Sequence, residues 1–458
     1  MSDLRLLAQW SDQLDPDRRL DVASSSEARR WYVDLDAWKG TDGEEHALRG
    51  PSAARSIVRG VELASVRSEH ASTHLFAGFR GTGKTTELGR IARALGQTKE
   101  TGFSVLRVNA RRYHRLSRAL SIEELTVLLV AGIGEAAFEV LGEKALPKLA
   151  KSGVWERIRG WFEKVVESGG VTLKLGVVDI KSALLEGSSL TDQLRKALGD
   201  QSSTMLKEFL HGFVLEIAMA IRPRQLVVLV DDLDKFTSPA IRVANVYQAM
   251  ADLFFDHFDL LKLPSCHTIY TVPPYLAFLN QNVASNYKRK VHILPSVRVR
   301  GRPPIRASFP QGVAALEQTM ARRVDLDRLF GDARSACMER LVLASGGNLR
   351  DLGELMLGVM ELAVERSLPV GMPEVEATIN QYGAPRTLLK NDIELLLDVS
   401  AGGDLKEIEP ERLGKFASAM DQHLMLCYWN GEFWYDAHPI IAPKIARVRE
   451  QASSSERA

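Results

Sequence analysis

The stretch 75-LFAGFRGTGKTTELGRI-91 changes character half-way along its length. Leu75, Phe76 and Ala77 predict a buried strand, small residues follow, and an amphipathic helical run opens at Lys84. Glycines between a strand and a helix let successive backbone N–H groups turn inward around a phosphate, and the positive end of the helix adds to the attraction. The stretch therefore predicts a phosphate-binding loop.

The loop has the pattern G-x-x-x-x-G-K-[ST] in the strand-to-helix context that this motif requires. In such a loop Lys84 reaches the β and γ oxygens of a nucleoside triphosphate, and Thr85 supplies a hydroxyl to Mg²⁺. We therefore expect ATP and Mg²⁺ as cofactors and give Lys84 a catalytic role as well. The residues expected around the phosphates are Gly78, Phe79, Arg80, Gly81, Thr82, Gly83, Lys84, Thr85 and Thr86.

The composition is that of an ordinary globular protein. The chain has 458 residues, of which 45% are hydrophobic and 26% charged, enough for two to four domains with their own cores. The formal net charge of +1 excludes a strong overall attraction to nucleic acids or anionic membranes, so any such partner needs a local patch. The three cysteines have no metal-ligand or disulfide spacing.

The first twenty residues contain no signal-peptide pattern, and no apolar window approaches the roughly 18 residues that a membrane span needs. We expect a cytoplasmic location and no membrane partner.

Strands and helices alternate along the first two thirds of the chain. The run of Val and Leu in 225-QLVVLVDDLDKF-236 is typical of a strand covered on both faces. Further strands are expected at 103–113 and 266–276. The pattern predicts an α/β fold, a P-loop NTPase with a parallel sheet core.

The C-terminal region has two helical stretches followed by 424-LMLCYWNGEFWYDAHP-439, in which apolar runs flank Asn430 and Gly431. Such a dipeptide is a strong hairpin signal, and helices followed by a hairpin predict a winged-helix domain.

The alternation of Val171, Leu173 and Leu175 predicts a hairpin or ribbon inserted into the core. The predicted domains are an N-terminal segment 1–50, an ATPase core 51–305 interrupted by an insertion 142–204, a helical lid 306–382, a winged helix 383–450 and a flexible tail 451–458.

Two acids end the most hydrophobic strand. Adjacent strand residues face opposite sides, so we expect Asp231 to hold the magnesium shell and Asp232 to act as general base for the attacking water. A second acid indicates hydrolysis rather than binding alone. The alternative is that both acids cap the following turn.

Two further residues are candidates for the same chemistry. Thr271, with Tyr270 as second choice, would supply a polar group between the attacking water and the γ-phosphate, or else only close its strand. Arg350 lies in the first turn of a predicted helix, where a cation opposes the helix dipole. We expect it to reach a phosphate; the alternative is an exposed arginine paired with Asp351 or Glu354.

These motifs resemble the AAA+ ATPases, in the branch of the origin-recognition initiators and the STAND signalling ATPases. "FRGTGKTT" is similar to the Walker A motif, "VVLVDDLD" to Walker B, the region of Thr271 to sensor 1 and "GGNLRDL" to sensor 2. The resemblance implies an ATPase with a helical lid and a C-terminal winged helix. It also implies an adenine-side box at Leu48, Arg49 and Gly50. More narrowly, "YVDL", "SGGNLRDL" and "WYDAHP" are similar to bacterial ATP-binding proteins suspected of roles in conflict or phage-defence systems.

In AAA+ rings a neighbouring subunit supplies an arginine to the γ-phosphate, so the resemblance implies a homo-oligomer that forms on ATP binding. The candidate arginines, which could equally belong to a solvated basic loop around "VRVRGRPPIR", are Arg298, Arg300, Arg302, Arg322 and Arg323.

Two functions remain. The favoured one is an ATP-driven switch that controls assembly or engagement of a protein partner or effector. The alternative is a DNA-handling ATPase of initiator, loader or transposition-regulator type. Between Arg386 and Arg457 there are nine basic against twelve acidic residues, so nucleic acid is not favoured. A local basic cluster of Lys444, Arg447 and Arg449 keeps it open. A small-molecule kinase fits the loop alone, and Asp436 with His438 is better explained by hairpin packing than as a hydrolase site.

Overall fold

The structure is a computed structural model of the full chain. It describes residues 3–15, 21–23, 25–40, 43–67, 71–97, 102–114, 120–142, 146, 151, 153–168, 202–234, 250–279, 286–287, 291–386, 388, 390–402 and 410–455.

The described helices are α1 (Asp3–Leu14), α2 (Ser26–Trp31), α3 (Ala53–Val66), α4 (Lys84–Gly96), α5 (Ile122–Leu141), α6 (Val154–Ser168), α7 (Ser202–Ala220), α8 (Phe258–Leu261), α9 (Leu276–Leu279), α10 (Pro310–Ala321), α11 (Leu326–Phe330), α12 (Arg334–Ser345), α13 (Leu349–Arg366), α14 (Met372–Gly383), α15 (Lys390–Ser400), α16 (Pro410–Asp421) and α17 (Ala442–Ser455). No described helix is both long and apolar enough to cross a membrane.

The described strands are β1 (Trp38–Lys39), β2 (Glu45–His46), β3 (Ser72–Gly78), β4 (Phe103–Asn109), β5 (Gln225–Asp231), β6 (Cys266–Val272), β7 (His292–Leu294), β8 (Met425–Trp429) and β9 (Phe433–Ala437). Strands β3 to β7 form one sheet in the order β4-β5-β6-β3-β7. The pairings of β3 with β6, β4 with β5 and β5 with β6 are all parallel. The predicted parallel α/β core is confirmed.

The chain divides into two compact units. The first, the lid unit, comprises residues 1–52, 78–89 and 294–458; the second, the sheet unit, comprises 53–77 and 90–293. The phosphate loop predicted at 78–86 thus groups with the N-terminal segment and the C-terminal helices. The domain boundaries predicted from the sequence differ from this division and remain a prediction.

The sheet unit is built as the sequence pattern predicts. Strand β5 has five consecutive buried residues, as expected of a strand covered on both faces. Helix α5 begins at the predicted capping box, in which Ser121 Oγ accepts from the Glu124 amide and Glu124 Oε2 accepts from the Ser121 amide. The strand predicted at 103–113 ends at Asn109, whose side chain caps a short 3₁₀ turn. The hairpin predicted around residues 171–177 lies outside the described residues.

The lid unit contains the predicted winged helix, with α15 and α16 followed by the antiparallel hairpin β8–β9. Trp429 pairs with Phe433, so the connection has three residues, 430–432, with Gly431 in a left-handed conformation at φ +80°. Tyr428 stacks on Trp434 at 4.4 Å between ring centroids. This aromatic cross-strand pair stabilises the hairpin.

One extended segment holds the parts of the lid unit together. Three consecutive amides donate to three separate segments: Ser296 N to Cys427 O at 2.9 Å, Val297 N to Gly347 O at 3.1 Å and Arg298 N to Leu48 O at 3.0 Å. The winged-helix strand β8, the turn before α13 and the N-terminal segment therefore share one backbone connector.

Replacing Gly347 by alanine should destabilise the lid unit. Gly347 has φ +77°, and a Cβ atom there would lie 1.9 Å from the Val297 carbonyl oxygen. Backbone must move to relieve such a contact, so we expect a loss of about 2–4 kcal/mol in the free energy of unfolding, measured by urea denaturation. Gly414→Ala is the matched control, because nothing lies within 4 Å of its added Cβ and α16 is helical. Equal stability of the two variants would contradict the prediction.

Candidate functional site

The loop that follows β3 has the backbone that its glycines predict. Gly81 and Gly83 have φ values of +84° and +92°, a region that side-chain-bearing residues rarely adopt. Thr82 is buried, and both its amide and its hydroxyl bond to the Phe79 carbonyl, at 3.3 and 2.9 Å. Helix α4 starts at Lys84, directly after this turn. The loop is therefore a compact turn that ends at a helix N-terminus.

The Lys84 ammonium group is held inside the loop. It is buried and donates to the carbonyl oxygens of Gly78 and, at 2.9 Å, Phe79. Thr85 and Thr86, in the first turn of α4, are partly exposed. The Lys84 ammonium group therefore lies beside the position that an anion bound by the loop would occupy.

The Arg49 side chain forms a buried ion-pair network rather than an open binding surface. Its guanidinium group lies 3.0 Å from Asp36 and 2.9 Å from Glu87 in α4, and donates to the Thr82 carbonyl at 3.3 Å. Burial alone would lower its pKa, but the two carboxylates raise it above its usual value. These three contacts all lie within the lid unit. Through them the Arg49 guanidinium group holds the phosphate loop in place. Its predicted adenine contact stays a prediction.

Two other predicted ligand residues pack against the winged-helix hairpin. Gly50 has φ +74°, and an added Cβ would lie 2.2 Å from the Trp429 side chain. The Phe79 side chain is buried, with its ring centroid 6.5 Å from that of Tyr435. Phe79 therefore contributes its backbone to the loop and its side chain to the core.

The start of α13 lies against the phosphate loop. The Arg350 amide donates to the Gly81 carbonyl at 3.3 Å, and Asn348 Nδ2 donates to the Arg80 carbonyl at 2.7 Å. A Cβ on Gly81 would lie 2.2 Å from Asn348 Oδ1 and 2.8 Å from Arg350 Cβ. The sequence hypothesis that Arg350 lies near the phosphates is consistent with this placement. Its role remains a prediction.

The carboxylate of Asp351 is buried in a polar network within the lid unit. Its Oδ2 lies 2.7 Å from His438 Nε2 and 3.4 Å from His423 Nδ1, and its Oδ1 accepts from the Tyr382 hydroxyl at 2.8 Å. Burial opposes the charge, but His423, His438 and Arg386 lower the pKa of Asp351 well below its usual value. The sequence alternative in which Asp351 pairs with Arg350 does not match these contacts.

The hydrogen bonds around this network define its histidine tautomers. His438 Nδ1 accepts from the Ile440 amide at 3.2 Å, so the proton of a neutral ring is on Nε2, facing Asp351. A metal ion on Nε2 would move that proton to Nδ1, opposite an N–H donor. Although Asp351, His423 and His438 are close enough together to hold a metal ion, their tautomers favour a hydrogen-bonded network instead.

In the sheet unit, the turn after β5 collects three carboxylates. Asp231, Asp232 and Asp234 offer oxygens that all lie within 4.8 Å of one another. Asp231 Oδ1 accepts from the Asp232 amide at 2.8 Å, and Asp232 is fully buried with a left-handed φ of +68°. Clustered carboxylate oxygens are the ligands that Mg²⁺ prefers. Sequence reasoning assigned no role to Asp234; its spacing in "DDLD" was the available signal.

Thr271 supports this acidic turn from the neighbouring strand. It is fully buried, and its hydroxyl donates to the Val230 carbonyl at 3.3 Å and accepts from the Leu233 amide at 3.2 Å. Tyr270 is also buried and donates to the Leu261 carbonyl at 3.0 Å. These contacts correspond to the strand-closing alternative for Thr271; its predicted catalytic role stays a prediction.

Most of the candidate finger arginines are bonded within the lid unit. Arg300 donates to the Ala437 carbonyl at 3.0 Å and lies 3.1 Å from Asp436, and Arg302 lies 2.9 Å from Glu432. Arg298 bonds to Asn430 and lies over the Phe309 ring, and Arg322 donates to the carbonyls of Arg30 and Tyr32. Burial lowers the pKa of Arg323 to about 10. The Arg-rich segment is therefore not simply a solvated basic loop.

Two other C-terminal predictions can be placed. Asp436 pairs with Arg300 and Arg306, whereas His438 lies beyond the end of β9 and bonds to Asp351. They form no common site. Lys444 donates to the carbonyls of Gly383 and Ala384, at 2.9 and 3.1 Å, and to that of Arg386, so it caps the C-terminal end of α14. Arg447 is exposed, and the side chain of Arg449 lies outside the described residues.

No protein-family model matches the chain, and no curated protein matches it. Similar solved structures include the Aeropyrum pernix ORC1 protein in complex with DNA, with 14% identity over 86% of this chain and 93% of that chain and a TM-score of 0.34. The A. pernix ORC2 protein (ADPNP–ADP complexes) has 12% identity over 94% and 98%, with a TM-score of 0.39. Drosophila ORC bound to DNA has 14% identity over 93% and 92%, with a TM-score of 0.35.

The class of the protein follows from its own architecture. A parallel sheet with helices, a glycine loop between β3 and α4, and a C-terminal region of helices and a winged helix make it an α/β P-loop NTPase fold with a C-terminal domain. The predicted fold class is confirmed.

Acid should destabilise the protein through its buried histidines. Burial lowers the pKa of His423 to about 3 and also lowers that of His438. Below pH 6.5 the unfolded chain binds protons at these residues that the folded chain does not. The free energy of unfolding should therefore fall as the pH drops from 7 towards 5. Each of the two histidines contributes up to about 1.4 kcal/mol for every pH unit.

Urea unfolding midpoints at pH 7.5, 6 and 5 measure this dependence. His423→Gln removes one titrating group and should make the dependence shallower than in the parent protein. An unchanged slope in that variant would mean that His423 is not buried in its neutral form.

Proposed function

We propose that this protein is an ATPase that binds Mg²⁺-ATP at the loop 78–86 and hydrolyses it. The observation that carries the proposal is the loop itself, with its left-handed Gly81 and Gly83 and the buried Lys84 at the start of α4. A loop of this form directs backbone N–H groups and a helix N-terminus at a phosphate chain.

The residue types of the loop and of the acidic turn suit this pair of cofactors. Lys84 would neutralise the β and γ oxygens, and Thr85 would offer its hydroxyl to Mg²⁺. Among the clustered acids, Asp231 would complete the magnesium shell and Asp232 would accept the proton of the attacking water. Bound Mg²⁺ supplies charge neutralisation for the transferred phosphoryl group. We propose Arg350 as the lid residue that contacts the phosphates and Thr271 as the residue that orients the water.

For the output of the ATPase we propose a switch. ATP binding sets the arrangement of the lid unit around the loop, which controls self-assembly or the engagement of a protein partner, and hydrolysis resets it. Support comes from the contacts of α13 with the loop at Arg80 and Gly81. A role in bacterial defence is a hypothesis that rests only on the short motifs quoted above.

The second candidate is a DNA-handling ATPase of initiator, loader or transposition-regulator type; the similar A. pernix ORC1 and Drosophila ORC structures are described as bound to DNA. In this chain the favouring observation is the winged helix, with Arg447 exposed on α17. Lys444 donates to backbone carbonyls instead. Of the predicted basic cluster, Arg447 is therefore the described side chain that is exposed and could contact a DNA phosphate.

Lys84→Ala should abolish nucleotide binding, because it removes the positive charge inside the loop. Asp232→Asn should keep nucleotide binding but lower kcat at least 100-fold, because an amide cannot take the proton of water. Asparagine tolerates the left-handed backbone at this position as aspartate does, so the fold should be retained. A fluorescent ATP analogue measures binding, phosphate release measures kcat, and light scattering with ADP or a slowly hydrolysed analogue measures assembly.

Arg93→Ala is a control for Lys84→Ala, since Arg93 is an exposed cation in the last turn of the same helix, outside the predicted binding residues. Parental binding and assembly in both Lys84→Ala and Asp232→Asn would sink the proposal. A mass that does not change with nucleotide would remove the assembly switch while leaving the ATPase intact.

For the DNA alternative, duplex affinity should fall steeply with salt and weaken several-fold in Arg447→Ala, because each lost phosphate contact reduces the salt slope. Arg366→Ala, an exposed arginine of α13 paired with Glu374, is the control. Affinity that depends on neither salt nor Arg447 would remove this alternative.

A further inference from the structure

The Asn348 side chain uses its full hydrogen-bonding capacity. Its Oδ1 accepts from the amides of Arg350 and Asp351, at 3.0 and 3.2 Å, and so caps α13. This cap determines the orientation of the amide group, because an NH₂ group could not accept those bonds. Its Nδ2 then donates to the Arg80 carbonyl at 2.7 Å and to His423 Nε2 at 2.9 Å. The side chain is fully buried.

The bond to Arg80 orients a peptide group of the phosphate loop. In a planar trans peptide the N–H points opposite to the C=O. Holding the Arg80 carbonyl towards Asn348 therefore directs the Gly81 N–H to the other side of the loop backbone. The 2.2 Å separation between a hypothetical Gly81 Cβ and Asn348 Oδ1 shows that the approach requires glycine. Asn348 thus acts on the backbone groups of the loop.

His423 in turn determines the position of Asn348. Since its Nε2 accepts from Asn348, its ring proton is on Nδ1, which faces Asp351 Oδ2 at 3.4 Å. His423 follows α16 in the winged helix, and its backbone is left-handed at φ +60°. The groups facing its ring and backbone come from several elements: Asp351 of α13, Arg386 after α14, and His438 after β9, whose ring centroid lies 5.1 Å away.

We propose that Asn348 is a positioning residue for the phosphate loop, and that His423 sets its amide so that the winged helix determines how well the loop binds nucleotide. This inference rests on the proposed function for the nucleotide, but its structural half, the hold of Asn348 on the Arg80–Gly81 peptide, can be measured without any ligand.

The test uses the full chain and variants matched in size and backbone cost. Asn348→Ser keeps a good helix cap but is too short to donate to both Arg80 and His423. His423→Met and His423→Gln are similar in size and carry the same left-handed backbone penalty. Glutamine can accept a hydrogen bond from Asn348, whereas methionine can accept at most a weak one. Asp325→Ser, at the N-cap of α11, is the control for altering a cap elsewhere in the lid.

Hydrogen–deuterium exchange of a peptide spanning residues 78–87, without nucleotide, reads the position of the loop. Exchange should be about threefold faster or more in Asn348→Ser and His423→Met, and parental in His423→Gln and Asp325→Ser. Affinity for a fluorescent ATP analogue should weaken about tenfold in the first two variants. The double variant Asn348→Ser/His423→Met should be no weaker than Asn348→Ser alone, because His423 acts through Asn348.

Parental exchange in Asn348→Ser, or equal effects of Met and Gln at position 423, would overturn the inference. If the losses of affinity add up in the double variant, the inference that His423 acts on the loop through Asn348 is wrong. A parent protein that binds no nucleotide would overturn the proposed function and the nucleotide half of the inference, while the exchange rates would still decide whether Asn348 positions the loop.

Discussion

The amide group of Asn348 is the point at which three parts of the lid unit meet. It caps α13, holds the Arg80 carbonyl of the phosphate loop and bonds to His423 of the winged helix. An amide is the side-chain group that can do this, because it combines an oxygen that accepts with a nitrogen that donates twice. A buried group with these bonds is costly to disturb, since any partner it loses is left unsatisfied.

Around this point two buried charges of the lid unit have partners. Asp351 receives hydrogen bonds from Tyr382 and His438, and Arg49 lies between Asp36 and Glu87. The two networks contact the phosphate loop at different residues. Asn348, close to Asp351, bonds to the Arg80 carbonyl, and Arg49 bonds to the Thr82 carbonyl. Buried charges need such pairing, because desolvation would otherwise favour their neutral forms.

The turn after β5 in the sheet unit instead brings like charges together. Three carboxylates gather there, and a buried threonine from the adjacent strand braces the backbone between them. A left-handed aspartate at such a place is a strained conformation, and strained residues concentrate at functional sites.

Local patterns in the sequence determined the class of the fold, the glycine loop, the capping box at Ser121 and the hairpin at 425–437, because each depends on residues close together in the chain. Residue types also predicted that Asp231 and Asp232 lie at the end of a buried strand, and the structure has them there. The tertiary structure alone decided the long-range partners of Arg49, Asn348, His423 and His438, since these contacts join residues 13 to 268 positions apart along the chain. Hydrogen bonds over such separations depend on how the elements pack, and no periodicity or spacing in one sequence records that packing.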